Sequence, residues 1–134
     1  MLRIFVEGEP KPQGSKSGFI RGNRVVLVEA NKSLPGWRNT LESALKHHWA
    51  DQEAITEAVS IELTFWLTRP ATNRREAMTT KPDLDKLCRA VFDCAVRAGI
   101  VKDDALVVDL VASKHYADEN RPGVLIELSR IDNK

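Results

Sequence analysis

Residues 59–68, VSIELTFWLT, constrain the fold of this 134-residue chain more than any other segment. Val59, Ile61, Leu63, Phe65 and Leu67 occupy one parity, and Ser60, Glu62, Thr64, Trp66 and Thr68 the other. An alternation of period two makes a β-strand with one face toward a core. Such a strand belongs to an antiparallel or mixed sheet with helices on one side. Trp66 is the exception on the polar face. It reads either as a partly covered aromatic or as part of a subunit interface.

The rest of the chain supplies the partners. Leu2, Ile4 and Val6 alternate with Arg3, Phe5 and Glu7 in a first strand, and GEPKPQGSKSG follows as a loop. GFIRGNRVVLVE predicts a hairpin turning at Gly22-Asn23, two residues that tolerate positive φ. Trp37, Leu41, Ala44, Leu45, His48 and Trp49 recur at helical spacing and predict a helix from Trp37 to Glu53 after SLPG. Residues 69–82 lack periodicity, and a loop of that length inside a compact domain is usually functional or disordered. A second helix is expected over Asp83–Ala98, with Leu84, Leu87, Cys88, Val91, Phe92 and Ala95 on its core side and Gly99 ending it. ALVVDLVASKHY and GVLIELSRI then read as strands joined by the turn ADENRPG. With no internal repeat and no domain boundary, residues 1–134 are expected to form one α+β domain. Its architecture is a two-layer sandwich in which one mixed sheet is covered by two helices.

Bulk properties exclude several classes of function. With 43% apolar and 29% charged residues the chain is an ordinary globular one, and no apolar run is long enough for a membrane span. The first residues read as a strand, not as a signal peptide, so the expected location is the cytoplasm. Cys88 and Cys94 lie six apart in one helix without a CxxC or CxxH pattern. They are expected to be buried free thiols, neither a disulfide nor a zinc site. Adjacent His47 and His48 cannot both point at one ligand from a helix. In GEPKPQGSKSG five residues separate Gly8 from Gly14 and Ser15 intervenes before the lysine, so the loop is no P-loop and no nucleotide cofactor is expected.

The net charge of +1 does not by itself announce a nucleic-acid ligand, but its distribution is uneven. Lys11, Lys16, Arg21 and Arg24 form one basic group, and Arg69, Arg74, Arg75, Lys81 and Lys86 another. They are either solvated loops or phosphate contacts. At the end of the second group KPDLDK sets Asp83 and Asp85 at the mouth of the second helix. Asp83 fits an N-cap, which would occupy its carboxylate with the free N–H groups of the first turn. Residues two apart in a regular helix diverge, but the extended dihedrals of an N-cap would let Asp83 converge with Asp85. Two such carboxylates suit a hard cation, and magnesium is commonly held by one or two of them. A third acidic element follows in VKDDALVVD, with Asp103 and Asp104 before a strand and Asp109 within it. If that strand ran straight back, Asp104 would sit at the far end of the helix. The site then needs the strand to start near the helix mouth, or a contribution across a subunit boundary.

At this point the chain resembles a family. Residues 81–116, KPDLDKLCRAVFDCAVRAGIVKDDALVVDLVASKHY, look like the core of the RusA Holliday junction resolvases, small divalent-metal-dependent endonucleases often encoded by phages and prophages. The shared features are the D-L-D-K start, F-D in mid-helix, A-G near its end, D-D-A-x-V-V-D and a later lysine. PKPQGSKSGFI resembles the N-terminal loop of phage-type members, and LPGWRN the start of their first helix. The resemblance implies a homodimer that binds four-way DNA junctions, in recombination and repair, and nicks them as a symmetric pair. It also implies Mg²⁺, with Mn²⁺ as the alternative ion, held by Asp83, Asp85 and Asp104. Asp103 is an acidic neighbour. Arg89 stands where some members carry a catalytic lysine, with Lys86 and Lys114 as other cations for the site. Arginine retains the charge but cannot give up a proton. Lys11, Lys16, Arg21, Arg24, Arg69, Arg74, Arg75, Lys81 and Lys114 become the expected DNA contacts. Two further readings remain: a binder of branched DNA with an impaired site, and a structural role in which Asp83 only caps its helix.

Overall fold

The computed structural model describes every residue except 14–15, 22–23, 30–33, 73 and 132–134, and for 16–21, 24–29 and 34–35 it describes the backbone alone. Strand β1 spans Leu2–Glu7, β2 Lys16–Arg21, β3 Arg24–Glu29, β4 Val59–Leu67, β5 Val107–Tyr116 and β6 Gly123–Arg130. The helices are α1, Leu34–Trp49, and α2, Leu84–Arg97, with a short 3₁₀ turn at Asp104–Leu106. β1, β6, β4 and β5 lie side by side in that order, and β2 and β3 form a separate antiparallel pair. The mixed sheet carrying two helices is the α+β arrangement expected from the strand pattern.

The alternation of β4 is realised residue by residue. Val59, Ile61, Leu63, Phe65 and Leu67 are buried, whereas Ser60, Glu62, Thr64 and Trp66 are not. They meet Trp37, Leu41, Leu45 and Trp49 of α1, and Leu87, Val91 and Cys94 of α2, in one core. Each fully buried aliphatic side chain of this kind contributes about 1.5–3 kcal/mol. Arg38 of α1 pairs with Asp93 of α2, and the Cys94 thiol donates to the Arg38 carbonyl at 3.6 Å. Both cysteines are buried and free, as their spacing suggested.

Several boundaries differ from expectation. α1 begins at Leu34 because Pro35 falls in the first turn, where a missing N–H costs nothing. It stops at Trp49 because Ala50 turns to φ 55°. No glycine or proline marks that stop, so periodicity alone extended the helix to Glu53. His48, placed on the core side by spacing, is exposed. β2 begins at Lys16, inside the expected loop. The pairing of Arg21 with Arg24 leaves two residues for the expected hairpin turn at Gly22-Asn23, which lies outside the described residues.

α2 ends as its sequence indicates. Gly99 at φ 77° lets its N–H reach the Val96 carbonyl and that of Ile100 the Ala95 carbonyl, the Schellman pattern. The chain then returns along the sheet, so that β5 lies parallel to β4, from Val59↔Val107 to Leu67↔Tyr116. β6 does not form a hairpin with β5. It crosses the end of β4 and pairs antiparallel on its other side, where Gly123 faces Trp66. β4 is therefore central and β5 is an edge strand.

Candidate active site

The mouth of α2 opens at the end of the sheet where β4 and β5 finish. Asp83 is its N-cap residue, with extended dihedrals (φ −69°, ψ 135°), but its side chain makes no cap hydrogen bond. The carboxylate that sequence reasoning could assign to helix capping is thus not occupied by that role. Its neighbour is the Lys86 ammonium at 3.8 Å. Asp85, one residue into the helix, is exposed on the same first turn. Two carboxylates near the partial positive charge of a helix N-terminus are favoured there. Burial first, and the charge of Asp85 second, push the Cys88 thiol up to about 11. Arg89 is exposed one turn further along, with no ion pair to Asp85.

The loop that delivers this pair is braced by its own chain. The Lys114 ammonium, half-buried near the end of β5, donates to the carbonyls of Thr80 and Pro82, each at 2.8 Å. Arg69 makes a fork to both carboxylate oxygens of Asp118, at 2.8 and 2.9 Å, and lies 4.1 Å over the Tyr116 ring. The same contact raises the Arg69 pKa and holds Asp118 below the usual carboxylate range. Arg69 also donates to the carbonyl of Arg75, and the Tyr116 hydroxyl stands 3.5 Å from that of Thr80. Glu9 accepts from the backbone N–H and the hydroxyl of Thr68, at 3.0 and 2.9 Å. The Gln13 N–H donates to the Lys86 carbonyl at 2.9 Å, tying the N-terminal loop to the helix mouth. Arg69 and Lys114, both expected at the DNA, are engaged inside the protein.

Around this end lie other basic residues of the expected set. Arg74, Arg75 and Lys81 are exposed and Lys11 is half-exposed. A groove of about 380 Å³ runs between Arg69, Pro70, Ala71, Arg74 and Asp118. Lys16, Arg21 and Arg24 lie on the β2–β3 pair, whose side chains are outside the described residues. Sequence reasoning missed Glu9 and Asp118. Glu9 was visible as a lone carboxylate in a basic loop, whereas Asp118 is 49 residues from its partner and carries no local signal.

Asp104 is elsewhere. It opens the 3₁₀ turn before β5, at the opposite end of the strand from Lys114. The seven residue-to-residue steps from Val107 to Lys114 span roughly 23 Å at about 3.3 Å each. Asp103 caps that turn, accepting the Ala105 N–H at 2.9 Å. This hydrogen bond first, and the neighbouring Asp104 carboxyl second, hold Asp103 below the usual carboxylate range. Of the two, Asp104 is the exposed carboxylate not committed to the backbone. Among the described residues no group of three or more His, Cys, Asp or Glu side chains is placed to hold a metal ion. One chain thus sets Asp83 and Asp85 at the same helix mouth and leaves Asp104 apart.

The mixed sheet under two helices thus presents an acidic helix mouth among basic loops. Residues 7–129 match the family model of the endodeoxyribonuclease RusA, so the chain belongs to that family of nucleases. It is also 32% identical, over 93% of its own length and 94% of the relative's, to the uncharacterized protein YqaN of Bacillus subtilis (strain 168). Among the described residues no helix is long and apolar enough to cross a membrane.

Proposed function

We propose that residues 1–134 act as one domain, a divalent-metal-dependent endonuclease that resolves four-way DNA junctions by paired nicks. The observation that carries this reading is the helix mouth, where Asp83 holds the N-cap position without a cap bond and Asp85 stands exposed beside it. The family match over residues 7–129 gives the chemistry its class. Two carboxylates at a helix N-terminus are hard oxygen donors suited to Mg²⁺, with Mn²⁺ as the alternative, which keeps several waters. Asp83 and Asp85 would hold it, with Asp104 supplied by the other copy of a homodimer, because the chain's own Asp104 lies at the far end of β5. When bound, such an ion polarises the phosphate and lowers the pKa of a water.

The chain's own residues do the remaining work. Lys86, 3.8 Å from Asp83, offsets the repulsion between the two carboxylates. Arg89 directs a permanent positive charge toward the scissile phosphate, acting electrostatically because it retains its proton. Lys11, Arg74, Arg75 and Lys81, with Lys16, Arg21 and Arg24 of the hairpin, hold the DNA backbone. Such phosphate contacts position a duplex without reading its sequence. A homodimer with two-fold symmetry matches the symmetry of a junction and supplies two sites.

Cleavage of a synthetic four-way junction in Mg²⁺, with linear duplex and Asp83→Asn protein as controls, tests this. Symmetric nicks on the junction alone, abolished in the variant and by chelator, are expected. Junction binding without nicking would show an impaired site, with Arg89→Lys as the variant to restore it. Neither binding nor nicking would leave the aspartates a structural role.

A further inference from the structure

Asp118 is an exposed carboxylate on the wall of a basic groove, in the turn between β5 and β6 and beside Arg74. A negative charge there repels the phosphates that the neighbouring arginines attract. Its fork to Arg69, at 2.8 and 2.9 Å, offsets that charge locally, and the same arginine reaches into the loop that leads to Asp83. Arg69 donates to the Arg75 carbonyl, tying the two ends of segment 69–75 together, and rests on the Tyr116 ring. The Arg75 guanidinium in turn donates to the Thr79 hydroxyl at 3.0 Å. From Thr80 onward Lys114 takes over, through the carbonyls of Thr80 and Pro82. The loop is thus pinned around Arg75 by Asp118, acting through Arg69, and next to Asp83 by Lys114.

We propose that Asp118 is a positioning residue for DNA binding: by holding Arg69 it fixes the loop around Arg75, so that Arg74 and Arg75 meet the DNA backbone. The proposal rests on the nuclease reading, in which those arginines are phosphate contacts. Ordering rotamer-rich side chains and loops on binding costs affinity, and a loop already ordered in the free protein avoids that cost. A planar guanidinium matches both oxygens of a carboxylate, which fixes orientation as well as distance. A lysine at position 69 would keep the charge and lose the fork. The two pins therefore have separate effects. Asp118 sets how tightly the junction is held, and Lys114 sets how well the helix mouth is placed.

The sign of one substitution tests this. Asp118→Asn removes a negative charge, which by charge alone tightens DNA binding. The positioning role predicts the opposite for a fluorescent four-way junction titrated without Mg²⁺: binding weaker by roughly threefold or more. The salt dependence of affinity also flattens, by up to about two ions, as Arg74 and Arg75 leave their phosphates. Arg69→Lys is expected to do the same, and the double variant to add little, because the pair acts as one unit. Asp118→Glu recovers part of the loss. Glu119→Gln, at the exposed neighbouring carboxylate, is the control and binds at least as tightly as wild type. With Mg²⁺ and saturating protein, Asp118→Asn nicks at the wild-type rate, since Lys114 still holds Thr80 and Pro82. Equal or tighter binding by Asp118→Asn would overturn the proposal, as would a slower saturated rate with affinity intact. A merely structural role lowers the fraction of protein that binds and leaves the salt slope of the rest unchanged, and that result overturns it too. If wild-type protein does not bind junctions at all, the nuclease reading fails. Amide exchange over residues 74–79 then still decides the latch: faster exchange in Asp118→Asn upholds it, and unchanged exchange refutes it.

Discussion

Lys114→Met isolates the brace behind the helix mouth. The ammonium makes two hydrogen bonds, each 2.8 Å, to the carbonyls of Thr80 and Pro82, the latter adjoining Asp83. Hydrogen bonds to charged groups contribute roughly 1.5–3 kcal/mol each when well formed. Lys114 is only half-buried, and water partly replaces what is lost. A local cost of about 2 kcal/mol is therefore the working figure, which lowers the ordering equilibrium constant of the loop some 30-fold and the population of a marginally ordered loop by up to that factor. Methionine keeps the alkyl stem against the sheet, so the global core is spared. The expected outcome is a drop of about 30-fold in single-turnover junction cleavage, with melting temperature lowered by only a few degrees. Lys114→Arg, which can still reach a carbonyl, is expected to recover part of the loss. The rival role for Lys114 is a direct phosphate contact. That role predicts weaker binding and a salt dependence of affinity reduced by about one ion. Unchanged cleavage in Lys114→Met, or a loss confined to the salt slope, would refute the brace.

Two other expectations concern the scaffold. A Cβ added at Gly123 would stand 2.4 Å from the Val6 carbonyl oxygen and 2.6 Å from Phe5 Cζ. Gly123→Ala is expected to cost about 1–3 kcal/mol by overpacking the β1–β6 pair, read as a lower midpoint in urea. The Cys88 thiol rises from 9.0 to about 11 through burial first and the Asp85 charge second. A raised folded-state pKa adds stability that is fully present below the unfolded value and is lost as pH climbs toward the folded one. Stability is therefore expected to fall between pH 9 and 11. Cys88→Ala should flatten that decline, and an unchanged slope would exclude the thiol as its cause.

The strand β4 was legible because its alternation is local and complete. The second helix was legible for a related reason: its core-facing residues, its acidic start and the Gly99 that ends it all lie within it or beside its ends. The aspartates could be named from their motif, but not their relation to one another. The end of α1 at Ala50 was hidden because the backbone turns there without glycine. The sequence shows that Arg69 and Lys114 are charged, but not that each has partners inside the protein. Their carboxylate and carbonyl partners lie 49 and up to 34 residues away. The turn ADENRPG was legible as the link between β5 and β6, but not that β4 lies between them.

By itself the sequence determined the periodicities of the strands and helices, the choice of an α+β sandwich and the residues with chemistry to offer. These follow from short-range patterns of burial, spacing and chain stiffness. Only the tertiary structure decided that β6 would cross to the far side of β4, leaving β5 as an edge. It also decided that Asp83 and Asp85 would stand at one end of that strand and Asp104 at the other. Strand order depends on which apolar faces can be covered together, a balance among segments distant in the chain, and no local pattern records it.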